Sequence, residues 1–149
     1  MKRKIHVIPH SHWDREWYFT TSRSKVYLMK DLGDVLNTLE NDPEFKYFMV
    51  DAQGSLLDDY IKWRPQDKER ISKLVNDGRL VIGPWYTQTD QLVISGESIV
   101  RNMYYGMKRK LWKIHECRLC TGFFWTIRKY ATDLQTIWNR RYSVLAWCE

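Results

Sequence analysis

Three short apolar runs, Lys4 to Pro9, Lys46 to Asp51 and Arg79 to Gly83, are separated by stretches of helical periodicity, and this alternation decides the fold class. Val26, Leu28, Met29, Leu32, Val35, Leu36 and Leu39 recur at three- and four-residue intervals, which predicts a helix over 23–41, stopped by Asn41-Asp42-Pro43. Ser55 and Asp58 have the spacing of a reciprocal cap for a short helix through Trp63. Pro65 opens another helix with Ile71, Leu74 and Val75 inward, and Asn76-Asp77-Gly78 ends it. A last helix over Glu97 to Trp112 turns Ile99, Val100, Met103, Tyr104, Met107 and Leu111 toward the interior. Strands joined through helices cannot be hairpins. Their connections are crossovers, so the expected class is α/β with a parallel sheet covered by helices.

Strand polarity then places the chemistry. Ligands of parallel sheets gather at the carboxyl ends of the strands, and the three loops leaving those ends carry His10, His12 and Asp14, then Asp51 and Gln53, then Asp90. His-x-His-x-Asp just after a strand turns alternate side chains to one side while the chain stays extended. Imidazole nitrogen and carboxylate oxygen suit a borderline cation such as Zn²⁺, although one of the histidines can equally orient its neighbour instead of binding metal. A lone Asp90 would be a solvated loop acid or a helix cap. On the same rim as a His/Asp pair, it becomes a candidate metal ligand, nucleophile, or both. Trp13, Trp17, Tyr18, Trp85 and Tyr86 flank these groups, and flat apolar faces beside hydrogen-bonding residues suit a sugar ring as well as ordinary packing. Three strands neither close a barrel nor cover both faces of a sheet, so the chain reads as one incomplete domain.

Composition narrows the function classes. With 44% hydrophobic and 28% charged residues the chain is of ordinary globular type, and no apolar run approaches the roughly 20 residues that cross a bilayer. Met1-Lys2-Arg3-Lys4 precedes a stretch too short and polar for a signal peptide, and three cysteines make no disulfide framework, so a reducing cytoplasm is expected. Residues through 100 hold 14 Lys/Arg against 15 Asp/Glu, whereas those beyond hold 10 against 3. That excess admits a non-enzymatic basic binding module centred on Lys108-Arg109-Lys110, but no nucleic-acid motif, Gly-rich phosphate loop or Gly-x-Ser-x-Gly elbow accompanies it. Cys117 and Cys120, with His115 nearby and Cys148 as the remaining thiol, have metal-like spacing without a second pair.

Pro9-His10-Ser11-His12-Trp13-Asp14-Arg15-Glu16-Trp17-Tyr18 resembles the opening motif of glycoside hydrolase family 38, the zinc-dependent α-mannosidases. Val50-Asp51-Ala52-Gln53 and Gly83-Pro84-Trp85-Tyr86-Thr87-Gln88-Thr89-Asp90 resemble that family in the same order, closest to its bacterial cytoplasmic branch, over residues 5 to about 112. The resemblance implies the N-terminal portion of a parallel seven-stranded β/α barrel, truncated here. It implies that His12 and Asp14 bind Zn²⁺ and that Asp90 is both zinc ligand and catalytic nucleophile. His10 and Asp51 would be accessory, and Trp17, Trp85 and Tyr86 would contact substrate. The implied reaction is retaining hydrolysis of α-mannosides, or a mannosyl-glycerate-like sugar, through a covalent mannosyl-enzyme, with a second acid about 5–5.5 Å from the nucleophile. Full-length relatives would be homo-oligomers, with neither nucleic acid nor membrane as partner.

Residues 1–116 are therefore expected to be the N-terminal part of a catalytic domain and 117–149 a divergent continuation. Where the family has Gly-Tyr-x-Pro-Asp-x-Phe-Gly, this chain has Gly122-Phe123-Phe124-Trp125-Thr126-Ile127-Arg128-Lys129, and a weaker likeness returns at Asp133–Ile137 and Ser143–Trp147. A disrupted reading frame or decayed gene would produce that pattern. The family's general acid and remaining zinc-binding His lie far downstream, so no turnover by this chain alone is expected. Other barrel hydrolases with His-x-His use the metal to activate water, but they give no reason for Trp13, Trp17 or the 85–90 segment.

Overall fold

The computed structural model describes residues 7–50, 53–90 and 93–108. Helix α1 (Thr21–Asn41) is followed by strand β1 (Phe48–Val50), helix α2 (Ser55–Trp63), a 3-10 turn at Pro65–Asp67, helix α3 (Lys68–Asn76), strand β2 (Leu80–Ile82) and helix α4 (Gly96–Met107). β1 and β2 are parallel, with Phe48 opposite Leu80 and Val50 opposite Ile82. On the other side of β1, Met49 donates to the Pro9 carbonyl and accepts from the Ser11 amide, at 3.0 and 3.1 Å. Three chain segments thus run parallel with β1 in the middle, as the crossover argument requires. The expected first strand contributes a single bridge at His10, and residues 4–6 lie outside the described ones.

The core lies where α1, α2 and α3 pack on this sheet. Leu28, Leu32, Leu36 and Leu39 of α1 meet Leu56, Leu57 and Tyr60 of α2, Ile71, Leu74 and Val75 of α3, and Val50, Leu80 and Ile82 of the strands. The predicted apolar stripe of α1 is therefore correct except at Val26, which is 69% exposed. Val26 lies about 200° from Leu28, on the far side of the stripe, since each residue turns the helix by about 100°. Gly78, at φ 74°, supplies the left-handed residue between α3 and β2 that a side chain would strain.

The reciprocal cap expected at Ser55 and Asp58 is not formed by Ser55. Gly54 is the cap, and the Ser55 hydroxyl is buried without a hydrogen-bond partner. The amides at this helix start are taken instead by another loop: Gly54 donates to the Trp85 carbonyl and Ser55 to that of Tyr86, both at 2.9 Å. A tertiary contact has replaced the local one. On α4, Ile99 and Met103 are buried as expected, but Tyr104 is 53% exposed and Gly106 takes the inward place. The expected continuation of this helix to Trp112 lies outside the described residues.

Tyr60, with no exposed surface, donates through its hydroxyl to Asp67 Oδ2 at 2.7 Å. Arg70 closes the network, 3.5 Å from Asp67 Oδ1 and 2.7 Å from Glu40 on α1. Burial first, and then the Asp67 carboxylate, push the Tyr60 phenol up to about 12, against about 10 in an unfolded chain. The neutral phenol therefore contributes stability fully below pH ~10, and that contribution is lost as pH rises through ~12. Melting temperatures are expected to fall through this alkaline window. Tyr60→Phe should flatten the fall while costing about 1–2 kcal/mol at neutral pH, because Asp67 loses a donor; an unchanged alkaline limb in thermal melts would count against this.

Candidate active site

The rim at the carboxyl ends of the strands is built from the loop of residues 11–20, the start of α2, and the segment 83–90. In the first loop burial alternates: Ser11, Trp13 and Arg15 are half-buried, whereas His12, Asp14 and Glu16 are exposed. Trp13 packs against the core cluster, and its carbonyl accepts from the Gln53 side-chain amide at 3.2 Å. With the odd-numbered side chains anchored, the even-numbered ones share the open side. His12 Nε2 and Asp14 Oδ2 are 3.6 Å apart, their side chains 57% and 51% exposed. The motif spacing therefore does bring these two together.

Asp90 does not join them. Among the described residues, no group of three or more His, Cys, Asp or Glu side chains lies together as a metal site needs. Asp90 is exposed, and its carbonyl accepts from the Val93 amide in a turn. His10 is also exposed, its backbone paired with Met49 and its Nδ1 2.9 Å from the Ser11 carbonyl. Asp51, Cys117, Cys120, Cys148 and His115 lie outside the described residues. In kind, the His12 and Asp14 donors fit a borderline dication. In number, they are half of a closed shell.

The aromatic candidates separate. Trp17 is 71% exposed, edge-on to Tyr18 at 6.2 Å. Tyr86 is partly exposed, next to Tyr105. Trp85 is only 4% exposed and packs with Ile99 and Met103 under α4. Its ring holds the helix to the segment instead of presenting a face to a ligand.

What carries the 83–90 segment was not legible in sequence. Asn102 of α4 makes a two-way bond to Thr87, accepting from its amide at 2.9 Å and donating to its carbonyl at 2.5 Å. One turn on, Gly106 lies so close to the segment that a Cβ there would stand 2.0 Å from the Pro84 carbonyl oxygen. A polar residue and a glycine in an amphipathic helix give no pattern by which sequence reading selects them.

The family described as Glycosyl hydrolases family 38 N-terminal domain matches residues 2–127. A protein of Halalkalibacterium halodurans named as a mannosylglycerate hydrolase is 44% identical over 108 residues, which cover 72% of this chain and 12% of that protein. An α-mannosidase structure from Enterococcus faecalis V583 superposes with a TM-score of 0.64 at 47% identity, covering 66% of this chain and 11% of that one. A second Enterococcus faecalis structure, of a protein in glycosyl hydrolase family 38, does so with a TM-score of 0.61 at 43% identity, covering 67% and 12%. The chain thus spans about an eighth of the length of these relatives.

Proposed function

The chain belongs to glycoside hydrolase family 38 through that family's N-terminal domain, and from this premise we propose that it forms one side of the active site of a retaining, zinc-assisted α-mannosidase. The observation that carries the reading is the His12/Asp14 pair, two exposed donors 3.6 Å apart on the loop that follows the first parallel segment. In this proposal His12 and Asp14, with Asp90, would hold Zn²⁺, which supplies charge stabilisation and a template for sugar hydroxyls. Completing that set requires the Asp90 carboxylate to approach the pair. Asp90 would attack the anomeric carbon as the leaving oxygen is protonated by an acid from the rest of the enzyme, giving a mannosyl ester that water then cleaves. Trp17 and Tyr86 would offer apolar faces to the ring, with Trp85 supporting from beneath. The remaining strands would complete the β/α barrel. Terminal α-mannosides, including mannosylglycerate-like sugars, are the proposed substrates, in the cytoplasm. Among the described residues no helix is long and apolar enough to cross a membrane.

The test is a chimera in which residues 1–108 replace the matching segment of the Halalkalibacterium halodurans relative. Zinc-dependent release of mannose from an aryl α-mannoside, with the α configuration retained in the first-formed product, supports the proposal. Inversion, or hydrolysis indifferent to zinc and to His12→Ala, overturns it.

The 149-residue chain by itself is expected to show no mannoside turnover and only weak zinc uptake at this rim. Two clustered donors realise a small part of the about 10–16 kcal/mol of a closed zinc site, so a dissociation constant weaker than about micromolar is expected. Calorimetry measures it as the component lost in His12→Ala, which separates the rim from the cysteines. Nanomolar uptake lost in that variant would show a completed site instead.

A further inference from the structure

The exposed pair His12/Asp14 stands on a loop that has no regular secondary structure of its own through residue 14, so its geometry must be imposed from outside. Ser11 donates to the Met49 carbonyl at one end of the loop and Thr21 donates to Glu16 toward the other, and two anchors hold the residues that alternate with the pair, Trp13 and Arg15. One is the Gln53 amide on the Trp13 carbonyl. The other lies in a groove lined by Trp13, Arg15, Ser24, Lys25, Leu56 and Asp59, among others, and by neither His12 nor Asp14. Here Arg15 Nη1 is 3.0 Å from Asp59 Oδ2, and Lys25 Nζ is 3.9 Å from Asp59 Oδ1. Asp59 is mid-helix in α2 and Lys25 is in α1, so one carboxylate ties the loop to both helices. Its side chain is 22% exposed and that of Arg15 35%, so the pair is partly withdrawn from solvent screening.

We propose that Asp59 is a positioning residue for the proposed metal donors, acting through Arg15. The inference rests on the metal reading given above and extends it to a residue that touches neither metal nor substrate. Alternation makes the coupling direct. Arg15 follows Asp14 immediately, and fixing Trp13 and Arg15 on the buried side leaves His12 and Asp14 facing the same way on the other. Without the carboxylate, Arg15 loses its tie to α2. The loop keeps the Trp13 anchor and the hydrogen bond from the Thr21 hydroxyl to Glu16. Neither of these fixes Arg15 on the buried side, so the 3.6 Å spacing of the donors is enforced less tightly.

The test uses the full 149-residue chain. Asp59→Asn preserves shape and removes the charge. Hydrogen exchange of amides 12–16 is expected to quicken about tenfold or more, with core amides of α1 and α3 unchanged, and the zinc uptake that depends on His12 should weaken about tenfold. Asp59→Glu should restore most of both. Glu40→Gln, which breaks the Arg70 pair elsewhere on α1, should lower the melting temperature and alter neither readout. Unchanged exchange at residues 12–16 in Asp59→Asn overturns the proposal. So does quickening spread equally over α1 and α3, or a loosened loop with zinc uptake unaltered. A wild-type chain with no zinc uptake dependent on His12 overturns the metal reading itself, and exchange at 12–16 then decides alone whether Asp59 holds the loop.

Discussion

In the chimera described above, Asp90→Asn is expected to lower kcat for an aryl α-mannoside by about a thousandfold or more. An amide is nearly the same size as a carboxylate, so packing around Thr87 and Trp85 should be preserved. What is lost is the anion: a neutral amide neither forms the mannosyl ester nor contributes charge to a zinc ion. Added azide separates the two roles. If Asp90 is the nucleophile, azide in the vacated space attacks the face opposite the leaving group, and the product is the β-mannosyl azide. Loss of zinc binding alone gives no azide adduct. A variant that retains wild-type kcat, with the same retained configuration, would remove Asp90 from the chemistry.

Gly106→Ala is the second large effect, and it acts on structure. Alanine favours a helix over glycine by about 1 kcal/mol, so α4 in isolation would gain. In the folded chain the added Cβ would meet the Pro84 oxygen at 2.0 Å, the Trp85 carbonyl carbon at 2.6 Å and the Tyr86 nitrogen at 2.7 Å. These are backbone atoms of a segment already bonded to α2 through Gly54 and Ser55, so nothing flexible can yield. Overpacking costs of about 1–3 kcal/mol, and occasionally more, exceed the propensity gain. The expected result is a net loss of about 2 kcal/mol in urea unfolding, with Trp85 partly exposed in its fluorescence. Activity of the chimera should fall too, since Asn102 holds Thr87 three residues before Asp90. Gly33→Ala sets the opposite sign. Its Cβ would sit 3.5 Å from the Tyr60 hydroxyl, an ordinary contact, and that variant should be neutral or more stable by up to about 1 kcal/mol. Equal stability of Gly106→Ala and the wild type would show that α4 can move away at no cost.

The residues differ in how far they could be read without coordinates. Leu28, Leu32, Leu36 and Leu39 declared the inner face of α1, because helical geometry repeats locally. The parallel sheet followed from crossover lengths alone. His12 and Asp14 were legible for the same reason, since alternation along an extended chain is a local property. Trp85 and Tyr104 were not. One looked like a ligand platform and is core, while the other looked like core and is exposed, and each outcome depends on how α4 seats against the 83–90 segment.

Local periodicity by itself thus determined the element order, the class of the sheet, and the rim on which the polar residues collect, because helical and extended backbones repeat every few residues whatever lies around them. Only the tertiary structure decided that Ser55 does not cap its helix, that Gly106 lies against the backbone of Pro84 to Tyr86, and that Asp59 reaches across to Arg15. Those outcomes depend on distances between segments tens of residues apart. Such distances are set by close packing of the whole core, which no local spacing encodes.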